Sequence, residues 1–124
     1  PGRATRRRGR QARRRAFMTA MKSEKKIQNE IRLALSETCV IFRINVGVFK
    51  TTDGRVVSTG VPNGFSDLFG YRRSDGRAVF IEVKKPGGAV RPAQTKFLKA
   101  MRKNGALTGI ARSVEEALEI VEME

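Results

Sequence analysis

Residues 79–84 form a short apolar run, VFIEVK, that a single carboxylate interrupts before the run ends in lysine. The β-branched and aromatic residues predict a strand. Side chains two positions apart share one face of a strand, so Glu82 and Lys84 are expected to project together. Burying either charge alone is costly. An isolated Glu-x-Lys pair in a strand is most often explained by a cross-strand salt bridge, and further residues are needed to indicate a functional site.

A second acid lies in the preceding apolar segment, where Asp67 follows Phe65-Ser66 and precedes Leu68. Residues 65–71 predict a short strand, and the Ser-Asp-Gly sequence at 74–76 predicts a tight turn between the two strands. Such a hairpin can bring Asp67 beside Glu82. Two nearby carboxylates repel each other, which raises a proton affinity or requires a cation. Taken alone, Asp67 is also explained as a turn or cap residue.

The whole pattern predicts an α/β fold in the order helix, three strands, helix, strand, helix. Residues 47–54 predict a loop or a short hairpin. Pro92 suits the first turn of the second helix, and Ser113 with Glu116 forms a capping box before the third. The predicted segments are a helix from Ser23 to about residue 36, strands 39–45, 65–71 and 77–84, a helix 92–103, a strand 106–111 and a final helix after Ser113.

Three polar residues of the predicted helices fall on or near apolar faces. Glu24 lies about 60° from Ile27, inside the apolar stripe of the first helix, whereas Glu30 lies at its edge. Glu24 is also explained by the favourable helix dipole of a first turn. Gln94 lies at the centre of the apolar face of the second helix. A glutamine at this position is either a structural hydrogen-bonding residue or part of a functional site.

The composition excludes several classes of enzyme. The chain of 124 residues has no histidine, which excludes histidine-dependent nucleases, Ser-His-Asp hydrolases and most zinc enzymes. Its one cysteine, Cys39, is unable to form an internal disulfide or a thiolate zinc site and is expected to be buried. No apolar run approaches the ~20 residues of a membrane span, so a soluble intracellular protein is expected.

The net charge of +14 predicts a polyanionic partner. Residues 1–17 hold eight arginines and no acid, and without them 18 basic residues stand against 12 acidic ones, a net charge of +6. This segment lacks apolar periodicity and is expected to be disordered or adaptable. It is a nucleic-acid-binding arm, a leader ahead of a start at Met18 or Met21, or an added extension that is not native to the protein.

Five residues are expected to point toward one edge of the sheet: Glu24, Asp67, Glu82, Lys84 and Gln94. Oxygen ligands without nitrogen or sulfur ligands select Mg²⁺ or Mn²⁺. A lysine beside such a site suits stabilising phosphate charge or orienting a water. The predicted chemistry is therefore metal-assisted attack of water on a phosphodiester.

Residues 64–68 (GFSDL), residues 81–88 (IEVKKPGG) and Gln94 together resemble the VRR-NUC domain, the virus-type replication-repair nuclease. This domain is a branch of the PD-(D/E)xK nuclease superfamily. Residues 42–47 (FRINVG) are also similar, and the resemblance extends over residues 21–121. Ser66 departs from the family pattern, because many members have proline before the aspartate.

The resemblance implies a restriction-endonuclease-like core, a mixed β-sheet flanked by helices, over residues 21–124, with residues 1–20 as a basic disordered arm or leader. It implies that Asp67 and Glu82 bind Mg²⁺ or Mn²⁺, with the carbonyl of Val83 as an additional ligand.

The resemblance also implies roles for the remaining site residues. Glu24 matches the first-helix acid that contributes to the metal site, with Glu30 as the alternative. Lys84 would position or activate the attacking water and stabilise phosphate charge, and Gln94 would support the site. A basic DNA-binding surface would include Arg43, Lys50, Lys85, Arg91 and Lys96.

Short members of this family resemble homodimeric endonucleases that resolve Holliday junctions, which implies a homodimer acting on four-way DNA. A nuclease of flaps or DNA ends, a catalytically silent nucleic-acid-binding module of the same fold, and a basic RNA-associated protein are alternatives. Sequence-specific cutting is not expected, since the core uses about 100 residues and leaves little for reading base edges. We expect a phage or bacterial origin, a role in DNA repair or recombination, and a cytoplasmic or nucleoid-associated location in a bacterial host.

Overall fold

The computed structural model describes the backbone of residues 2–124 and the side chains of residues 4–15 and 23–124. The predicted order of helices and strands is observed, with two further strands, one within residues 47–54, where the sequence predicts a loop or short hairpin, and one just after them. The elements are α1 (Gly2–Leu35), β1 (Cys39–Arg43), β2 (Val48–Lys50), β3 (Val56–Ser58), β4 (Leu68–Arg72), β5 (Ala78–Val83), α2 (Pro92–Lys103), β6 (Leu107–Ala111) and α3 (Val114–Val121).

Four of the strands form one mixed sheet in the order β1-β4-β5-β6. β4 pairs antiparallel with both β1 and β5, while β5 pairs parallel with β6. The parallel pair needs a crossover, which α2 provides between β5 and β6. β2 and β3 form a separate antiparallel hairpin. The predicted class, an α/β fold with a mixed sheet flanked by helices, is confirmed.

Alternation along β5 divides the core into two clusters, because successive side chains of a strand point to opposite faces. Val79, Ile81 and Val83 pack in the larger cluster with residues of α1 and α3. Phe80 faces the other way and packs with Leu98 of α2 in the smaller cluster. Glu82 has the parity of Phe80, so the sheet presents this carboxylate on the side of α2.

The first helix is longer than the sequence predicts. It begins at Gly2 rather than at Ser23, so helical backbone is found where residues 1–17 are expected to be disordered. Arginine and alanine have high helix propensity, and proline does not interrupt residues 2–35. The side chains of residues 4–15 are exposed, except for partly covered Gly9. The division into an arm or leader over residues 1–20 and a domain from residue 21 stays a prediction.

None of the helices in the described chain is long and apolar enough to cross a membrane. The predicted helix starts at Pro92 and after Ser113 are confirmed. Ser113 caps α3, since its side chain accepts a hydrogen bond from the backbone N–H of Glu116 at 3.2 Å.

Candidate active site

Asp67 and Glu82 meet where β4 begins and β5 ends. The strand register pairs Leu68 with Ile81, which places the two acids on adjacent strands. The backbone N–H of Asp67 donates to Glu82 Oε2 at 3.2 Å, and the backbone N–H of Val83 donates to Asp67 Oδ2 at 3.0 Å. These two hydrogen bonds hold the carboxylates side by side.

Glu82 is nearly enclosed by the protein, with 2% of its surface exposed. Burial raises the pKa of Glu82 to about 8, and the negative charge of Asp67 adds to the increase. Lys84 opposes it by favouring the ionised form. A buried carboxylate beside a second one is a costly arrangement, which is typical of sites where a cation or a proton is used.

Lys84 lies next to this pair of acids. Its Nζ is 3.8 Å from Glu82 Oε1, and 13% of its side chain is exposed. Glu82 and Lys84 are two positions apart at the end of β5, so their side chains project from the same face, and the ion pair confirms this prediction. Lys84 also keeps access to solvent, and hence to a substrate.

Gln94 connects Glu82 to the start of α2. Its Nε2 donates to Glu82 Oε1 at 2.8 Å, while its Oε1 accepts from the backbone N–H of Arg91 at 3.0 Å. Gln94 is 4% exposed and has both ends of its amide satisfied. The side chain is thus both a helix cap and a support that fixes the orientation of the Glu82 carboxylate, so the structural and site interpretations of Gln94 hold together.

The loop that carries Asp67 is held against α2 by a close backbone approach. Gly64 has φ of +87°, and a β-carbon there would lie 2.4 Å from the carbonyl oxygen of Ala93. Phe65 packs on Phe97 of α2 with ring centroids 4.7 Å apart. Ser66 is fully buried, and its Oγ donates to the carbonyl of Leu68 at 2.8 Å. The serine in the family's proline position thus stabilises the loop by a hydrogen bond.

A cleft of about 280 Å³ opens beside the acids. Asp67 and Gln94 line it, and Arg43 and Arg91 provide positive charge on its walls. The two exposed guanidinium groups on its walls suit a phosphate-containing ligand, because arginine binds phosphate oxygens in a forked geometry.

The first-helix acids are not brought into this cleft. Glu24 is half-buried and Glu30 is exposed on α1, and neither is among the residues that line the cleft. In the described part of the chain, no three His, Cys, Asp or Glu side chains lie close enough together to hold a metal ion. The assignment of Glu24 or Glu30 as a metal ligand stays a prediction.

The five basic residues predicted to bind DNA lie on several different loops, strands and helices. Arg43 and Arg91 line the cleft. Lys50 is exposed on β2 and Lys96 on α2. Lys85 is half-buried, and its carbonyl accepts a hydrogen bond from Arg112 at 2.8 Å. Their contact with DNA stays a prediction.

Two lining residues, Gln28 and Asn45, were missed by the sequence reasoning. Gln28 lies one helical turn after Glu24 and about 100° from Ile27, at the edge of the apolar stripe, which is a signal that helical spacing carries. Asn45 follows a strand and looks like an ordinary loop residue. A larger hollow of about 590 Å³ lies elsewhere, between Thr38 and Leu118, and includes none of the site residues.

Comparisons with known proteins agree with this fold. The sequence pattern of the VRR-NUC domain matches residues 47–115, which include Asp67, Glu82, Lys84 and Gln94. A solved structure described as a VRR-NUC domain superposes with a TM-score of 0.56 at 20% identity, covering 81% of this chain and 95% of that one. Among curated proteins, no significant match is found. More than half of the chain fits the family pattern, so this chain belongs to the VRR-NUC family and carries a nuclease-type domain.

Proposed function

We propose that the chain is a divalent-metal-dependent, structure-specific DNA endonuclease that hydrolyses phosphodiester bonds. The observation that carries this proposal is the pair formed by buried Glu82 and Asp67, with Lys84 at 3.8 Å and an arginine-lined cleft beside it. A structural salt bridge would not need a second carboxylate whose charge raises the pKa of the first.

The donor set fits a hard divalent cation. The side chains of Asp67 and Glu82 offer carboxylate oxygens, and the chain has no histidine to offer nitrogen. Mg²⁺ and Mn²⁺ prefer oxygen ligands. A cation between the two acids would relieve the repulsion that raises the pKa of Glu82. Asp67, Glu82 and the carbonyl of Val83 would hold the metal.

The bound metal would supply Lewis-acid stabilisation of charge on the phosphate and a more acidic water. The chain's own residues supply the remaining needs of hydrolysis, in which a water oxygen bonds to phosphorus and the ester bond to an alcohol breaks. Lys84 Nζ places a positive charge where the phosphate gains negative charge. Gln94 keeps the Glu82 carboxylate in one orientation. The carboxylate therefore loses little conformational entropy when the reaction begins.

Positive charge around the cleft supports DNA as the substrate. Arg43 and Arg91 line the cleft, and the arginine-rich start of α1 adds charge to a chain whose net charge is +14. Neutralising backbone phosphates releases counterions, which gives affinity without base sequence. We therefore propose recognition of DNA shape, with a four-way junction as substrate.

A homodimer fits such a substrate, since a two-fold axis would present two active sites to two strands of a symmetric branch. Flaps and DNA ends are the second candidate substrates, because the exposed cleft also suits a single strand. The same basic surface would serve a binding module without catalysis, and the assay below separates these cases.

The test is a cleavage assay on labelled four-way junctions, flaps, single strands and linear duplex, in Mg²⁺, Mn²⁺ or EDTA. The key variant is Glu82→Gln, which is isosteric but has one acceptor oxygen where Glu82 has two, so it keeps only one of the hydrogen bonds donated by the Asp67 backbone N–H and by Gln94 Nε2. Glu119→Gln is the control, because Glu119 is an exposed acid on α3. We expect metal-dependent paired nicks near the branch, reduced by about 10²-fold or more in Glu82→Gln and unchanged in Glu119→Gln.

Three results would change the proposal. Binding without cutting under every metal condition would indicate the silent module. Cutting of flaps or single strands alone would keep the nuclease and remove the junction substrate. Equal cutting by the wild type and Glu82→Gln would show that this carboxylate is not part of the active site.

A further inference from the structure

The β2–β3 hairpin, residues 47–59, is a separate arm that we name the rim hairpin. Its base is closed by two hydrogen bonds: Thr59 N–H to the carbonyl of Gly47 at 3.0 Å, and Gly47 N–H to Thr59 Oγ1 at 3.2 Å. Its tip is also fixed, because the backbone N–H of Thr51 donates to the carbonyl of Arg55 at 2.8 Å. The rim hairpin therefore has a defined shape of its own.

The rim hairpin exposes large apolar side chains. Val48 is 67% exposed, Phe49 55% and Val56 65%. Its strands contact chiefly each other, and a lone two-stranded hairpin is marginally stable in water. Clustered exposed apolar residues mark interaction sites. The arrangement indicates that the hairpin is completed by a binding partner.

Its apolar residues lie on both faces. Directly paired residues of an antiparallel ladder share a face, so Val48 and Val56 lie on one face with their partners Ser58 and Lys50. Phe49 lies on the opposite face, paired with Val57. A hairpin that docks on the surface of one protein partner needs only one apolar face. A hairpin that inserts between two surfaces, such as two stacked base pairs, needs an apolar side chain on each of its two faces.

The base of the rim hairpin lies at the edge of the candidate active site. Asn45 and Val46 immediately precede it and line the cleft together with Asp67. Lys50 and Arg55 give the arm positive charge, and its one acid, Asp53, forms an ion pair with Arg55 at 3.1 Å. A DNA strand with a phosphate in the cleft would therefore pass along a cationic, apolar arm.

From this placement we propose that the rim hairpin enters branched DNA at the branch point and contacts the bases whose stacking is interrupted there. The inference rests on the proposed function, because it takes DNA as the substrate of the cleft. Phe49 stacks on an exposed base, since every base offers an aromatic face. Val48 and Val56 fill the opposite side of the opening, as apolar wedges do between base steps, while Lys50 lies near the backbone phosphates.

The test measures binding separately from cutting. Phe49→Ala, Lys50→Ala and the control Leu33→Ala are each made in the Glu82→Gln chain, so that the DNA stays intact. Leu33 is 76% exposed on α1, outside the hairpin, and is not among the residues that line the cleft. Affinity is measured by fluorescence anisotropy for a four-way junction and for a fully paired duplex. A fluorescent adenine analogue at the branch point reports base unstacking on binding.

We expect Phe49→Ala to weaken junction binding by about 5- to 100-fold, to leave duplex binding within about twofold, and to abolish the fluorescence rise. Lys50→Ala should weaken both DNAs by a similar factor, because phosphate contacts carry no sequence or structure preference. Leu33→Ala should match the parent chain. Circular dichroism checks that each variant is folded. We expect all three to fold, because Phe49, Lys50 and Leu33 are exposed and their replacement leaves no cavity in the core.

Two results would overturn the inference. The first is that Phe49→Ala binds the junction and the duplex as the parent does, or loses both equally. The second is that Phe49→Ala converts a dimer to a monomer in sedimentation, which would assign the hairpin to a subunit interface. Failure of the nuclease proposal would appear differently: the wild-type chain, with Glu82 intact, would leave the junction uncut while binding still depends on Phe49.

Discussion

Replacing Gly64 by alanine tests how the loop that carries Asp67 is held against α2. At residue 64 the backbone has φ of +87°, and an added β-carbon would lie 2.4 Å from the carbonyl oxygen of Ala93. The carbonyl of Ala93 belongs to the backbone of α2, so it cannot rotate away from the added β-carbon as the end of a flexible side chain could. The loop and the first turn of α2 must therefore move apart, which withdraws Gln94 from its 2.8 Å hydrogen bond with Glu82.

The cost has two parts that a second glycine separates. A non-glycine residue in the left-handed region loses about 1–2 kcal/mol. Forcing an extra methyl group into a packed site adds about 1–3 kcal/mol. Gly76 has φ of +71° with open space around the β-carbon position, so Gly76→Ala carries only the first cost. We expect Gly64→Ala to lose about 2–5 kcal/mol of unfolding free energy, and Gly76→Ala about 1–2 kcal/mol.

Urea denaturation of both variants measures these losses, with the slope m used to check that unfolding stays comparable. Cleavage activity should fall in Gly64→Ala and persist in Gly76→Ala at temperatures where both are folded. Equal loss of stability in the two variants, with equal activity, would refute the close approach of the loop to α2.

Three further changes test individual contacts. Gln94→Ala removes a donor from a buried carboxylate and should lower the unfolding free energy by about 1–3 kcal/mol; unchanged denaturation would argue against the bond to Glu82. Ser66→Ala should cost about 1 kcal/mol because a buried hydroxyl bond to Leu68 is lost, and a neutral result in urea would contradict that. Hydrogen bonds from Arg72 lower the pKa of Asp75 to about 2, so its stabilising effect is present above about pH 4 and is lost as the pH falls toward 2. The wild type should therefore lose more stability than Asp75→Asn over that pH range in urea midpoints, whereas parallel pH curves would refute this.

The sequence predicts the central part of the site because strand parity and turn signals are local. Asp67 and Glu82 were expected to meet across a hairpin, and their reciprocal backbone hydrogen bonds show that they do. Lys84 was expected to share the face of Glu82, and it pairs with it. Gln94 was ambiguous, because helical spacing places a polar residue on an apolar face without showing what it contacts.

Other features depend on contacts that a sequence pattern does not carry. Asn45 reaches the cleft because the end of β1 pairs with the start of β4, where the backbone N–H of Ile44 donates to the carbonyl of Asp67 at 2.8 Å. The N-terminal part of α1 has high helix propensity but no apolar periodicity. A start predicted from periodicity therefore falls at Ser23, whereas the helix begins at Gly2. In the predicted capping box, the side chain of Glu116 would accept a hydrogen bond from the backbone N–H of Ser113. In the structure, Glu116 Oε2 accepts instead from the backbone N–H of the preceding residue, Arg112, at 2.8 Å. The position of Glu24 depends on the tilt of α1 against the sheet, which spacing alone leaves open.

The most direct test of the active site is divalent-metal binding, which does not depend on choosing the right DNA. Mn²⁺ is titrated by calorimetry into the wild type, Asp67→Asn and the control Glu119→Gln. Asparagine still accepts the hydrogen bond from Val83 but has no charge, so folding should be kept. The account predicts Mn²⁺ binding by the wild type and the control, weakened by at least about 10-fold in Asp67→Asn. Equal Mn²⁺ affinity in all three proteins would contradict a metal site at Asp67 and Glu82.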